Sequence, residues 1–142
     1  MSKLLLPVDG SESCLRAVDF VIDLVKRTQP VPELHIITVH PPVPYANVAA
    51  AVGQETLNRF YREEGDETLK STRQRLDAAG VTYRHHISVG EPADVISRFC
   101  NEQQITEVIM GTRGMGAVSN LLLGSVASKV IHLINIPVTL IK

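Results

Sequence analysis

The sequence predicts an open α/β domain: a parallel five-stranded sheet in the order 3-2-1-4-5, with helices on both faces. Apolar runs of strand length alternate with helical patterns as β-α-β-α-β-α-β-α-β, and such alternation builds right-handed crossovers onto a parallel sheet. The runs are continuously apolar, as in Leu4-Leu5-Leu6 and Val108-Ile109-Met110, the pattern of strands buried on both faces. The chain is 142 residues long, 44% hydrophobic and 20% charged, which fits one globular domain over residues 1–142 with a normal core.

Lys3 to Val8 is the first strand, and Asp9-Gly10-Ser11 turns the chain. Ser11 suits a helix N-cap, with Glu12 in the first turn. The helix that follows carries Cys14, Ala17, Val18, Val21 and Val25 on one face and Arg16, Asp19, Asp23 and Lys26 on the other, until Pro30 and Pro32 end it. Glu33 to Val39 is a second strand, with His40 at its end, and Pro41-Pro42-Val43-Pro44 is a rigid extended connector. From Val52 to Ala79 the pattern is helical and weakly amphipathic, marked by Leu57, Tyr61, Leu69 and Leu76. Gly65 stands inside it at a cost of about 1 kcal/mol relative to alanine. The charges from Arg59 to Asp77 alternate in sign and read as a solvated face. Gly80 stops this helix, and Val81 to Val89 is a third strand. Pro92 opens a helix whose buried face is Ala93, Ile96, Phe99 and Cys100. Glu107 to Met110 is the fourth strand, Val126, Val130, Ile131 and Ile134 mark the last helix, and Ile136 to Ile141 is the fifth strand.

Composition excludes several classes of function. A net charge of −1 gives no electrostatic case for nucleic acid or an anionic membrane. No apolar run approaches membrane-spanning length, and Leu4-Leu5-Leu6, soon followed by Asp9, is too short for a signal peptide. Cys14 and Cys100 lack metal-ligand spacing and read as small apolar residues packed in a reducing cytosol, so a cytoplasmic protein is expected. His85-His86 point to opposite faces of a strand and have no carboxylate or thiol at ligand spacing, so they read as structural and no metal ligands are assigned.

The stretch Met110 to Val126 carries the chemistry. A β-branched strand runs into a glycine-rich loop and then a helix start; glycine admits close approach to the backbone, and the helix start offers free N–H donors and a positive dipole end. Together these suit phosphate. Gly111 and Gly116 have the glycine spacing of a P-loop, but Ala117-Val118 stand where Lys and Ser or Thr should follow. Gly114-Met115-Gly116 begins a Rossmann fingerprint whose third glycine is replaced by Ser119. The bland alternative is a structural loop whose glycines only permit turns. The expected strand order reverses between strands 1 and 4, so the crevice there joins Asp9 to the Gly111–Ser125 loop, about a hundred residues apart in sequence. Asp9 either caps its own turn or faces a ligand in that crevice.

The spacing Gly111-x2-Gly114-x9-Gly124-Ser125 resembles the nucleotide signature of the ATP-binding branch of the universal stress protein family. Leu5-Leu6-Pro7-Val8-Asp9-Gly10-Ser11-Glu12-Ser13 is similar to that family's first strand and turn, Gly90-Glu91-Pro92-Ala93 to its third crossover, and Pro137-Val138-Thr139-Leu140-Ile141 to its last strand. Only Pro41 to Asn58 has no landmark. The resemblance implies ATP as ligand, with Asp9 beside the adenosine and backbone groups at Val39 on the adenine edge. The expected nucleotide-binding residues are Pro7, Val8, Asp9, Val39, Met110, Gly111, Arg113, Gly114, Gly124, Ser125 and Val126, and Leu121-Leu122-Leu123 anchor the loop. Arg113 is the one cation inside the loop and either pairs with phosphate or faces solvent. Mg²⁺ would be held through the phosphates. No residue between Gly111 and Val126 can orient a water, so no catalytic residue is assigned and hydrolysis is expected to be slow or absent. The resemblance further implies a homodimer through strand 5, with Pro137 to Ile141 paired antiparallel across a two-fold axis.

The expected function is a cytoplasmic ATP-binding regulator that acts in a stress response through nucleotide-dependent conformation or binding of a protein partner. The competing expectations are a slow ATPase or nucleotidyl-transfer enzyme on the same fold, and a nucleotide-free interaction module.

Overall fold

A computed structural model describes residues 1–43, 48–113 and 123–142. The chain runs β1 (Lys3–Pro7), α1 (Glu12–Arg27), β2 (Glu33–His40), α2 (Val48–Val52), α3 (Gln54–Ala78), β3 (Arg84–Val89), α4 (Pro92–Gln103), β4 (Glu107–Gly111), α5 (Ser125–Leu133) and β5 (Val138–Ile141). The sheet is parallel throughout in the order β3-β2-β1-β4-β5, as the alternation of elements predicts. β1 lies at its centre, with Leu5 paired to His35 on one side and to Val108 on the other.

Residues of β1 divide between two cores. Leu4 and Leu6 pack with Val18 and Val21 of α1 and Leu69 and Leu76 of α3. Leu5 packs on the opposite face with Ile96 of α4 and Val130 of α5. Two covered faces explain why these strands are apolar at every position. Cys14 lies in the first core and Cys100 in the second, both as free thiols. Burial pushes both up to about 11, which keeps them protonated and suits the packing role their spacing suggests.

Ser11 caps α1 as expected, its hydroxyl accepting from Cys14 N–H at 3.2 Å. Two boundaries differ from expectation. The long central helix begins at Gln54, because Gly53 takes φ 88° and separates it from the short α2. The third strand begins at Arg84, three residues later than its apolar start suggests. Val81 closes α3 instead: its N–H donates to Leu76 O, Gly80 N–H donates to Asp77 O, and Gly80 takes φ 71°. This is a Schellman stop with a buried residue just beyond it.

Gly65 has a packing reason inside its helix. A Cβ there would lie 2.4 Å from Cγ2 of Ile87, so the missing side chain lets α3 lie close on β3. The two adjacent histidines of β3 have different surroundings. His86 stacks on His35 of β2 at 5.2 Å between ring centres and meets Phe99 of α4 edge-on, while His85 is exposed.

Candidate functional site

The carboxyl ends of β1 and β4 diverge because their onward helices, α1 and α5, lie in opposite layers. A cavity opens there, at the switch point of the sheet. Of the expected residues, Pro7, Val8, Asp9, Val39, Met110, Gly111, Arg113 and Val126 line it. Gly124 and Ser125 stand at its edge as the N-cap and first residue of α5. Gly114, Leu121 and Leu122 lie outside the described residues; Leu123 packs on the second core. Sequence reasoning did not place Ser11, Cys14, Ile37, Pro92 and Ile96 in the crevice, although they line it too. Pro92 and Ile96 are one helical turn apart, and their spacing signalled only a helix start and a buried face. The Gly90-Glu91-Pro92 crossover brings α4 over the crevice, so that face also walls the cavity.

Among the described lining residues the charged side chains are Asp9 and Arg113; the others are mainly apolar. Asp9 ties its own turn and also lines the cavity. Its Oδ1 accepts from Ser11 N–H at 2.9 Å, tying the turn, and the residue remains exposed at the cavity. Gly10 takes φ 81° in this turn, a conformation that disfavours a side chain.

The far wall is the start of α5. Ser11 caps α1 and Glu91 caps α4, whereas the N-cap of α5 is Gly124, which has no side chain to offer, and no acidic residue stands in its first turn. Gly124, in extended conformation, brings the chain into the helix, and its own N–H donates to Thr112 O at 2.6 Å. The helix start therefore faces the crevice without a carboxylate of its own, a favourable electrostatic setting for an anion.

Gly111 has a packing role that the sequence did not reveal. A Cβ at this position would fall 2.4 Å from Ser13 Oγ and 2.9 Å from the Ser13 carbonyl carbon. The absent side chain lets β4 and the start of α1 meet. The Arg113 carbonyl then accepts from Ser13 Oγ at 2.5 Å and from Ser11 Oγ at 3.3 Å.

An open doubly wound α/β domain with a crevice at its switch point defines a broad class, and comparison narrows it. The universal stress protein family matches residues 1–142. Universal stress protein MJ0531 of Methanocaldococcus jannaschii is 31% identical over 99% of this chain and 81% of its own length. The chain belongs to the universal stress protein family. The solved structure of MJ0577, from the same organism, is 26% identical and superposes with a TM-score of 0.82 over 99% of this chain and 95% of that one. A universal stress protein solved in complex with cAMP is 25% identical, with a TM-score of 0.67 over 99% and 96% of the two chains. Binding of an adenine nucleotide is therefore found in this family. No helix among the described residues is long and apolar enough to cross a membrane.

Proposed function

We propose that this protein is a nucleotide-binding regulator of the universal stress protein family that holds ATP in the switch-point crevice. The observation that carries the reading is the placement of Asp9 opposite the start of α5, whose N-cap Gly124 has no side chain, across an otherwise mainly apolar cavity. The base and ribose would lie over Val8, Asp9 and Val39, with Pro92 and Ile96 as the apolar wall. The phosphates would run toward Gly114, Gly124, Ser125 and Val126, with Mg²⁺ carried on their oxygens. The cAMP complex of a relative supports an adenine ligand. Two free thiols, one in each core, are in keeping with action in the cytoplasm, and a half-buried apolar β5 edge with a homodimer.

The same side chains support nucleotide binding without fast turnover. Ser11 and Ser13 direct their hydroxyls at a backbone carbonyl, and the Cys14 thiol is protonated. Asp9 sits at the adenosine end of the proposed pose, away from the γ-phosphate, so no described group is placed to orient water there.

One observation favours a nucleotide-free interaction module: Gly111 is required by the contact with Ser13 whether or not phosphate is present. Titration with Mg²⁺-ATP separates the two readings, with inorganic phosphate release followed in the same sample. The regulator reading expects saturable binding and little phosphate over minutes. Absence of binding supports the module, and release within seconds supports an ATPase.

A further inference from the structure

We infer that Ser13, with Ser11 beside it, is a positioning residue that holds the root of the glycine-rich stretch in the orientation the phosphates need; this rests on the nucleotide reading above. Ser13 is the second residue of α1 and is 5% exposed. It is not the cap of its helix, since Ser11 takes that role, and its hydroxyl adds nothing to an apolar core. Its described bond is to the Arg113 carbonyl, 100 residues away in sequence. That carbonyl can accept twice, and it accepts from the hydroxyls of both Ser13 and Ser11. Two donors on one acceptor set the plane of the carbonyl where β4 hands over to the loop.

The surrounding bonds make this a junction. Thr112 N–H donates to Ile141 O at 2.9 Å, and Thr112 O accepts from Gly124 N–H at 2.6 Å. The start of the loop is thus tied to β5 and to the start of α5, while Ser13 ties the next residue to α1. Only a residue without a Cβ at position 111 leaves room for this hydroxyl. Ser11 carries the junction on to Asp9 through its backbone N–H. One helix start therefore touches the turn at the adenosine end of the crevice and the loop root at the phosphate end.

The test is calorimetric titration of wild type, Ser13→Ala and the exposed control Ser71→Ala with ATP and, separately, with adenosine, alongside urea unfolding. A positioning role predicts that Ser13→Ala weakens ATP about five- to tenfold, the loss of one buried hydrogen bond. Adenosine affinity should stay within about twofold of wild type, because Asp9 and its turn are untouched. Ser71→Ala should match wild type for both ligands. If Ser13→Ala leaves ATP affinity unchanged, or weakens ATP and adenosine by the same factor, Ser13 is structural and the inference is wrong. If wild type binds neither ligand, the nucleotide reading fails first and takes this inference with it.

Discussion

Gly65 shows how a single residue can contradict local propensity and still be required. Glycine inside a helix costs about 1 kcal/mol relative to alanine, so Gly65→Ala should help α3 taken alone. Within the fold the new methyl would meet three atoms of Ile87, at 2.4, 2.9 and 2.9 Å. Ile87 is β-branched and its χ1 is stiff, so it cannot swing aside as a long flexible side chain would. Overpacking of this kind costs about 1–3 kcal/mol and outweighs the propensity gain. Gly65→Ala is therefore expected to lower the urea midpoint; an unchanged or raised midpoint would mean that α3 lifts from β3 without penalty. Gly111 follows the same logic at the site, where the partner is the start of α1. Neither requirement is legible in the sequence, since Gly65 meets a residue 22 positions later and Gly111 one 98 positions earlier. Propensity and motif spacing carry no information about such encounters.

At the scale of elements, β3 is an edge strand fastened to β2 by its ladder and by a histidine pair, the buried His35 with the half-buried His86. His35 is 2% exposed, with Nε2 at 3.1 Å from the Glu33 carboxylate and Nδ1 at 3.0 Å from His86 Nε2. A carboxylate only accepts, so His35 Nε2 carries a proton and the two rings share one more between them. Phe99 of α4 packs on both rings, and the charged groups nearby are Glu33, Lys3 and Arg84, with His85 on the outer face. Burial holds His86 below the ordinary imidazole value, and charge on His35, His85 and Arg84 lowers it further. The unfolded chain therefore binds the proton more readily than the folded one, so stability is full above the ordinary imidazole value and is lost as pH falls. The urea midpoint should drop between about pH 7 and pH 5, and His86→Gln, which keeps a donor for His35 but does not titrate, should flatten that drop. Glu33, lowered mainly by its bond to His35, acts in a separate window below the ordinary carboxylate value. An equal drop in His86→Gln would place the acid sensitivity elsewhere. The central strands β1 and β4 were legible because burial on both faces makes their middles continuously apolar. The pairing of His35 with His86 was not, because the register of β3 on β2 sets it. Val81 misled for a related reason: an apolar residue beyond a helix stop resembles the start of a strand.

At the scale of the molecule, strand order alone joins residues from the two ends of the chain, and for that reason the crevice could be placed from the alternation of elements. The Ser13–Arg113 contact within it could not, because it depends on how closely α1 approaches β4. β5 forms the other edge of the sheet, with all four residues half-buried. An apolar edge of this kind invites a second copy, and a two-fold pairing would cover it. Sedimentation should give a dimer at micromolar concentration that Val138→Asp converts to monomer; a wild-type monomer, or a dimer indifferent to the substitution, would count against this pairing. The proposed nucleotide lies at the carboxyl ends of the strands, whereas the depression lined by Asn101, Gln104 and Asn135 sits at the amino ends. The most direct measurement is an Mg²⁺-ATP titration read at each backbone amide by NMR. The account predicts that the amides of Asp9, Val39, Met110, Ser125 and Val126 shift together and saturate, while those of Asn101, Gln104 and Asn135 stay in place. Shifts centred on the amino-end depression, or none at millimolar ATP, would contradict it.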